Sequence, residues 1–270
     1  MTSAIIPLIA RSSESIAAII PAYNEAERIE AVLSAATQVS LFSQIIVVDD
    51  GSSDGTPGVA RQWQRRDPRI ELVRLEKNQG KATAIATGAH QAAGDIVTLL
   101  DADLIGLEPG QIRQLIYPVL HRQCVMTLGL FRHGRPSTDV MHRHLPFLSG
   151  QRCLRWSLFE DIFRVPTAGW SLETALNLHA WYHQYPTRRI PLNGVTHAMR
   201  PEKQPGLQGY VSHVAMWVHI ARYALHFVRD NGVGSILARL RESRPATAVF
   251  SLASGPRRNK AEFDMRRPLL

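Results

Sequence analysis

The stretch Thr98-Leu99-Leu100-Asp101-Ala102-Asp103 changes abruptly from an apolar run to a pair of carboxylates. In an extended segment residues i and i+2 point to the same face, so Asp101 and Asp103 can aim at one point just past a buried strand. Open α/β sheets bind ligands at the carboxyl ends of their strands, and hard carboxylate oxygens suit a divalent cation that holds a diphosphate. Because paired aspartates are also common in solvated turns, the surrounding sequence decides between a turn and a binding site.

Segments typical of strands and helices alternate through the first hundred residues. Strands are predicted at Ser15–Ile20, Gln44–Val48, Ile70–Leu75 and Asp95–Leu100. Helical patterns lie between them, the last at Gly80–Ala93. Strands spaced by helices of this length favour right-handed βαβ units, so the sequence predicts the α/β class with a mostly parallel, doubly wound sheet.

The pattern is looser after Asp103. It predicts a helix at Pro109–His121, a strand at Cys124–Phe131, a basic loop at Arg132–Leu148, a helix at Trp170–His183 and an extended segment at Arg189–His197. Residues 1–240 are predicted to form a single domain. Residues 241–270 lack hydrophobic periodicity and are predicted to form a disordered basic tail.

An amphipathic helix is predicted at about residues 208–230. Its apolar face would hold Val211, Val214, Ala215, Val218, Ala221, Leu225 and Val228, with His219, Arg222, Tyr223 and His226 on the polar face. One apolar stripe is what a helix docked on a protein core needs. Attachment of the helix to an anionic membrane surface is the open alternative.

The 270-residue chain has a formal net charge of +8. Residues 241–270 hold seven basic and three acidic residues, a net of +4, so the rest of the chain is only mildly basic. Anionic substrates or membranes are expected partners, whereas nucleic acid is not, because no basic stripe with interleaved aromatic residues occurs. Cys124 and Cys153 lie in apolar surroundings and the N-terminus does not resemble a leader, so we expect a cytoplasmic protein.

Two other predicted strands also end in polar turns, Pro21–Glu25 and Asp49–Ser52. Parallel strands end at one edge, so these turns and Asp101–Asp103 would outline a nucleotide crevice. The G-x-G-x-x-G fingerprint and the P-loop are absent. Lys81 begins a predicted helix, where the helix dipole disfavours a cation. A neighbouring diphosphate would explain a lysine at this position, and a solvated surface position is the alternative.

In order and spacing, Ile19–Glu25, Val47–Thr56, Asn78–Lys81 and Leu100–Asp103 resemble the family 2 glycosyltransferase pattern, over about residues 15–200. The resemblance implies a GT-A fold, a Rossmann-like three-layer sandwich, with a nucleotide-sugar donor, preferably UDP-linked, and Mg²⁺ or Mn²⁺. It implies donor contacts from Pro21, Ala22, Tyr23 and Glu25 to the nucleoside, Asp50 and Ser52 to base or ribose, Lys81 to the diphosphate, and Asp101 and Ala102 to ribose and sugar. Asp103 would bind the metal.

The second half resembles a narrower group that includes glucosyl-3-phosphoglycerate synthase. This implies catalytic roles for Asp101 and Glu173, a second metal ligand in His197, and acceptor contacts from Ser149, Gly150, Gln151, Arg152 and Gly169. Other interpretations stay open: a structural role for His197, a surface position for Arg152, and either a base or an orienting role for Glu173.

The expected function is metal-dependent sugar transfer to a small anionic acceptor such as a phosphoglycerate-like acid. A lipid or polyprenyl-phosphate acceptor at a membrane is the alternative, with homodimerisation left open. A sugar nucleotidyltransferase is a further alternative, although the acidic Pro21–Glu25 turn lacks the glycine-rich basic loop that it would need. A nucleotide-binding domain without activity is the non-enzymatic alternative.

Overall fold

The computed structural model describes residues 14–133, 149–163, 171–197 and 207–242. The strands in these ranges are β1 (Ile16–Ala22), β2 (Gln44–Asp49), β3 (Ile70–Arg74), β4 (Ile96–Leu99), β5 (Leu104–Ile105), β6 (Met126–Arg132), β7 (Arg152–Arg155), β8 (Thr187–Asn193) and β9 (Thr196–His197). The helices are α1 (Ile29–Thr37), α2 (Thr56–Arg66), α3 (Lys81–Gln91), α4 (Pro109–Leu120), α5 (Trp156–Phe163), α6 (Ser171–Tyr182), α7 (Leu207–Asn231) and α8 (Val233–Glu242).

Seven strands form one sheet in the order β3-β2-β1-β4-β7-β6-β8, and the short strands β5 and β9 pair with each other. Strands β3, β2, β1 and β4 are parallel. Strand β7 is antiparallel to both of its neighbours, and β8 is parallel to β6. Only β7 therefore runs against the others, which confirms the predicted mostly parallel sheet. Neither β7 nor α5 was predicted, because the sequence pattern is loose after Asp103.

The sheet is covered by helices on both faces. Alternate β1 residues enter two separate cores: Ile16 and Ile20 pack with side chains of α1 and α4, whereas Ile19 packs with side chains of α3, α5 and α6. Helix α3 lies unusually close to β1, since a Cβ added to Gly88 would come within 2.6 Å of the Ile19 side chain. These two cores confirm the predicted three-layer arrangement.

The C-terminal helix α7 packs on the core through a face that the sequence pattern did not predict. Tyr223, expected on the polar face, is buried with Phe227, whose ring meets the edge of Tyr182 with centroids 5.5 Å apart. Val218 and Leu225, expected to face the core, are exposed. The predicted orientation is therefore wrong for these residues, because the aromatic side chains of Tyr223 and Phe227 supply the contact with the core.

Cys124 and Cys153 are buried free thiols, as expected for core residues. Burial raises the pKa of Cys124 to about 11 and that of Cys153 to about 12. No helix in the described ranges combines the length and apolarity that crossing a bilayer requires. Helix α8 was not predicted, the single-domain organisation stays a prediction, and residues 243–270 lie outside the described ranges.

Candidate active site

Parallel pairing brings the ends of β1, β2 and β4 to one edge of the sheet, as predicted. The turn after β1 is joined to the loop after β2 by hydrogen bonds. The Asn24 N–H donates to Ser52 Oγ over 2.9 Å, and the Ser53 N–H donates to Asn24 Oδ1 over 2.9 Å. The Glu25 N–H donates to Thr56 Oγ1 at the start of α2. Because each loop supplies partners to the other, the predicted nucleoside-binding segments form one structural unit.

The predicted nucleoside contacts differ in exposure along this unit. Tyr23 is exposed, whereas Ala22 and Ser52 are buried. The Glu25 carboxylate is also buried and pairs with Arg28 over 3.2 Å. The contacts predicted for these residues and for the partly buried Pro21 stay predictions, with Tyr23 the most accessible of them.

Asp50 connects the β2 loop to the segment before α3. Its two carboxylate oxygens accept the N–H groups of Gln79 and Gly80 over 2.7 and 2.8 Å. Burial raises the pKa of Asp50 and the neighbouring Asp49 raises it further, while these hydrogen bonds act in the opposite direction. Asp49 is itself buried and pairs with Arg74 over 3.1 Å. Asp50 therefore fixes the approach to Lys81, and its base or ribose contact stays a prediction.

Lys81 joins the two carboxylates that were assigned catalytic roles. Its Nζ lies 2.7 Å from Asp101 Oδ1 and 3.2 Å from Glu173 Oε1, so it is not the solvated surface lysine of the alternative interpretation. Burial opposes the charge on Lys81, but the two carboxylates outweigh this cost and hold its pKa above the usual value. One ammonium thus pairs with both carboxylates and offsets one of their two negative charges.

Gly150 and Gln151 hold Asp101 from the other side. The Gln151 Nε2 donates to Asp101 Oδ2 over 3.0 Å, and the Gln151 Oε1 accepts the Asp101 N–H over 3.2 Å. Burial favours a higher pKa for Asp101, but Lys81, Gln151 and the nearby His197 together hold it below its usual value. A Cβ on Gly150 would lie 2.6 Å from Lys81 Nζ and 2.7 Å from Asp101 Oδ2, so a larger residue would displace the ends of these two side chains.

Arg152 does not occupy the surface position that the alternative interpretation gave it. It begins β7 and is fully buried beneath the site. Its Nε donates to Ser149 O over 2.9 Å, and one terminal nitrogen donates to Asn177 Oδ1 over 3.1 Å. Burial lowers the pKa of Arg152 to about 10, while Glu173 and Asp101 act in the opposite direction. The guanidinium thus supplies a second positive charge near the two carboxylates.

Asn177 is a site residue that the sequence analysis missed. Its Nδ2 donates to Glu173 O over 2.7 Å while its Oδ1 accepts from Arg152. Asn177 follows Glu173 by four residues on α6, so the two side chains share a helix face. This spacing is the sequence signal that could have identified Asn177 as a site residue. The acceptor contacts of Ser149 through Arg152 stay predictions, and Gly169 lies outside the described residues.

The β5–β9 ladder positions one of the two predicted metal ligands, because Leu104 of β5 pairs with His197. The charge interaction of His197 with Asp101 places the imidazole near the strand-end carboxylates. Metal binding by His197 and Asp103 stays a prediction. The ring of Phe131 lies 5.6 Å from that of His197. Within the described ranges no group of three or more His, Cys, Asp or Glu could hold a metal. One carboxylate and one imidazole fit a cation that takes its other ligands from phosphate and water. Buried Ala102 lies between the two aspartates.

A family model described as Glycosyl transferase family 2 matches residues 17–186. The match includes all three strand-end turns, the ion pairs of Lys81, and the segment that carries Glu173. It ends before His197.

Curated relatives match about a third of the chain. An undecaprenyl-phosphate 4-deoxy-4-formamido-L-arabinose transferase from Pectobacterium carotovorum is 39% identical over 109 residues, which is 38% of this chain and 33% of the relative. A dolichyl-phosphate beta-glucosyltransferase from Trichomonas vaginalis is 33% identical over 94 residues, or 32% of this chain and 28% of the relative. The chain thus matches about a third of the length of these relatives.

A solved structure matches most of the chain. Glucosyl-3-phosphoglycerate synthase from Mycobacterium tuberculosis, in complex with Mn²⁺, UDP-glucose and phosphoglyceric acid, aligns with a TM-score of 0.61 at 21% identity. The alignment covers 87% of this chain and 82% of that structure. At this identity the likeness shows a shared fold.

Proposed function

The chain belongs to glycosyl transferase family 2, and from this premise we propose that it transfers a sugar from a nucleotide-diphospho-sugar, UDP-linked by preference, to an anionic acceptor. The observation that carries the proposal is the contact of Lys81 Nζ with both Asp101 and Glu173 at the edge where β1, β2 and β4 end. The ammonium group of Lys81 lies at the carboxyl ends of the parallel strands, which is where sheets of this topology bind their ligands.

The donor half of the reaction requires neutralisation of the leaving diphosphate. Asp103 and His197 would hold Mg²⁺ or Mn²⁺, which supplies Lewis acidity to the leaving group when it is bound. Lys81 would donate to the diphosphate from the start of α3. Asp101, fixed by Gln151 at both its backbone and its carboxylate, would receive ribose or sugar hydroxyls. The metal-containing complexes of the fold neighbour agree with this assignment.

Where the acceptor nucleophile is a hydroxyl, the acceptor half requires a group that receives its proton. In an inverting reaction the acceptor oxygen attacks the anomeric carbon, its proton passes to the Glu173 carboxylate, and the bond to the diphosphate oxygen breaks. Helix α6 and Asn177 hold the Glu173 backbone in place. In a retaining reaction the same carboxylate would orient the acceptor. The buried Arg152 would keep the site attractive to anions in either case.

The acceptor has two possible sources that share a phosphate group. The fold neighbour was crystallised with phosphoglyceric acid, and the relatives are named for undecaprenyl phosphate and dolichyl phosphate. We propose a phosphate-bearing acceptor, used in the cytoplasm or at the inner face of the membrane. Buried reduced cysteines agree with a reducing compartment.

Thermal unfolding with Mn²⁺ and UDP-, GDP- or ADP-sugars tests the donor class. A ligand at a hundred times its dissociation constant stabilises by about 2.7 kcal/mol, and only the correct nucleotide should do so at low concentration. Turnover is then measured with 3-phosphoglycerate in one arm and a polyprenyl phosphate in detergent in the other. Detection of the transferred sugar on either acceptor supports the proposal and identifies which of the two acceptors is used.

Two results contradict the proposal. Pyrophosphate release from a nucleoside triphosphate and a sugar phosphate would indicate a nucleotidyltransferase. Nucleotide binding without turnover in either arm would indicate a binding domain without activity. Reactions without an acceptor give the background release of nucleotide.

A further inference from the structure

The outward side of α7 carries a mixed apolar and basic stripe. Val218, Arg222, Leu225 and Arg229 are spaced by four, three and four residues, so they lie along one helix face. All four are exposed, with Val218 exposing 49% and Leu225 70% of their surface. Tyr223 and Phe227 occupy the opposite, buried face. The apolar periodicity assigned Val218 and Leu225 of this stripe to the protein interior, whereas it placed Arg222 on the polar face.

Helix α8 continues the same feature. Val233, Leu237 and Leu240 are spaced by four and three residues and are all exposed. The inner side of α8 is held by Ile236, which packs against the core, and by Arg239, whose guanidinium lies 5.9 Å from the centre of the Tyr182 ring. We call the exposed set the C-terminal face, defined as Val218, Arg222, Leu225, Arg229, Val233, Leu237 and Leu240.

Exposed apolar side chains are concentrated on the C-terminal face. Among the described residues eight large hydrophobic side chains are exposed, and five of them belong to this face. Single exposed apolar residues are normal on any protein, whereas a contiguous set at helical spacing marks an interaction surface.

We propose that the C-terminal face docks on the surface of an anionic lipid bilayer. Apolar side chains interleaved with arginine suit the boundary between headgroups and acyl chains. There the apolar side chains contact the acyl chains and the guanidinium groups contact the anionic headgroups. Within the described residues no ion pair joins Arg222 or Arg229 to a carboxylate. Asp230 is the only acidic residue in the sequence between 218 and 240.

Charge distinguishes a bilayer from a second copy of the chain. A two-fold contact places the same patch on both sides, so it would bring Arg222 and Arg229 of one copy close to the arginines of the other. The sequence beyond Glu242 adds six basic and two acidic residues to the same end of the chain. An anionic surface complements both features, and the proposal does not depend on the sugar or the acceptor that the site uses.

Co-sedimentation of the full chain with vesicles tests the docking. Neutral phosphatidylcholine vesicles are compared with vesicles that contain phosphatidylglycerol, at low and at high salt. We expect binding to the anionic vesicles that weakens with salt. Leu225→Ser and Leu237→Ser should each lower the partition coefficient about tenfold, since each removes a leucine from the apolar contact. Arg222→Gln and Arg229→Gln should each lower it about fivefold.

Tyr117→Ser is the matched control, because Tyr117 exposes 45% of its surface on α4, outside the C-terminal face. The leucine variants keep the basic C-terminal segment, so unchanged binding by them would overturn the proposal in favour of attachment through that segment alone. Equal binding to neutral and anionic vesicles would also overturn the proposal. So would leucine variants that change from dimer to monomer in light scattering but bind vesicles as well as the wild type does. Absence of turnover with every donor would refute the proposed function and leave the vesicle result intact.

Discussion

Gly150→Ala isolates the ion pair at the centre of the site. Glycine at this position touches the site without contributing a side chain to it. The added Cβ would lie 2.6 Å from Lys81 Nζ and 2.7 Å from Asp101 Oδ2. Ordinary contact needs about 3.4 Å, so the ammonium has to move by roughly 0.8 Å, and the substitution acts on atoms assigned to donor binding.

The expected effects on stability and activity differ in size. The displaced atoms are the ends of two polar side chains, so the unfolding free energy should fall by no more than about 1 kcal/mol, the lower limit for overpacking. A misplacement near 1 Å at a reacting centre costs about 10²-fold, so kcat/KM should fall by about that factor. This corresponds to about 2.7 kcal/mol of lost transition-state stabilisation.

The assay is release of nucleotide from the cognate nucleotide-sugar with Mn²⁺, accompanied by thermal unfolding. Gly58→Ala is the matched control, because a Cβ there meets nothing within 4 Å. It should leave turnover unchanged and stabilise α2 by about 0.5–1 kcal/mol. Wild-type kcat/KM in Gly150→Ala would refute the reasoning that the Lys81–Asp101 geometry governs catalysis.

Three further results are expected. Gln151→Leu removes two hydrogen bonds from Asp101, so kcat/KM should fall by at least tenfold and the unfolding free energy by about 1–3 kcal/mol; an unchanged rate would contradict the positioning role. Lys81→Met leaves two carboxylates without the cation between them, so the acid limb of the kcat/KM–pH profile should move to higher pH, and an unmoved limb would count against the pairing. The Arg69 hydrogen bond lowers the pKa of Asp67, so this pair stabilises the fold above about pH 4 and its contribution disappears as the pH falls further. The unfolding free energy of Asp67→Asn should therefore fall less steeply below about pH 4 than that of the wild type. Wild-type and variant curves that stay parallel over this range would contradict the stabilising role of the pair.

Local patterns predicted the parallel half of the fold. Apolar runs that end in turns define β1, β2 and β4, and the pairing of parallel strands then determines which turns meet. Strand β7 could not be found in this way. It is four residues long and begins with a buried arginine, whose cost is balanced by partners from α6 and from the turn before it. That compensation depends on contacts distant in the sequence.

The orientation of α7 was also beyond the pattern. Periodicity identifies an apolar stripe but not the surface that it faces, and the aromatic residues Tyr223 and Phe227 determine the contact with α6. In the site, the motifs predicted which residues meet at the strand edge. They did not predict that Lys81 bridges Asp101 and Glu173, because Glu173 lies about ninety residues away along the chain.

The central claim is that Asp103 and His197 hold a divalent cation for sugar transfer. Mn²⁺ titration of turnover, from the metal-free enzyme with a saturating nucleotide-sugar, tests it most directly. We predict a saturable requirement for metal, which Asp103→Asn weakens by at least about tenfold, as expected when one ligand of few is lost. Full turnover in the presence of a chelator, or an unchanged Mn²⁺ dependence in Asp103→Asn, would contradict the account.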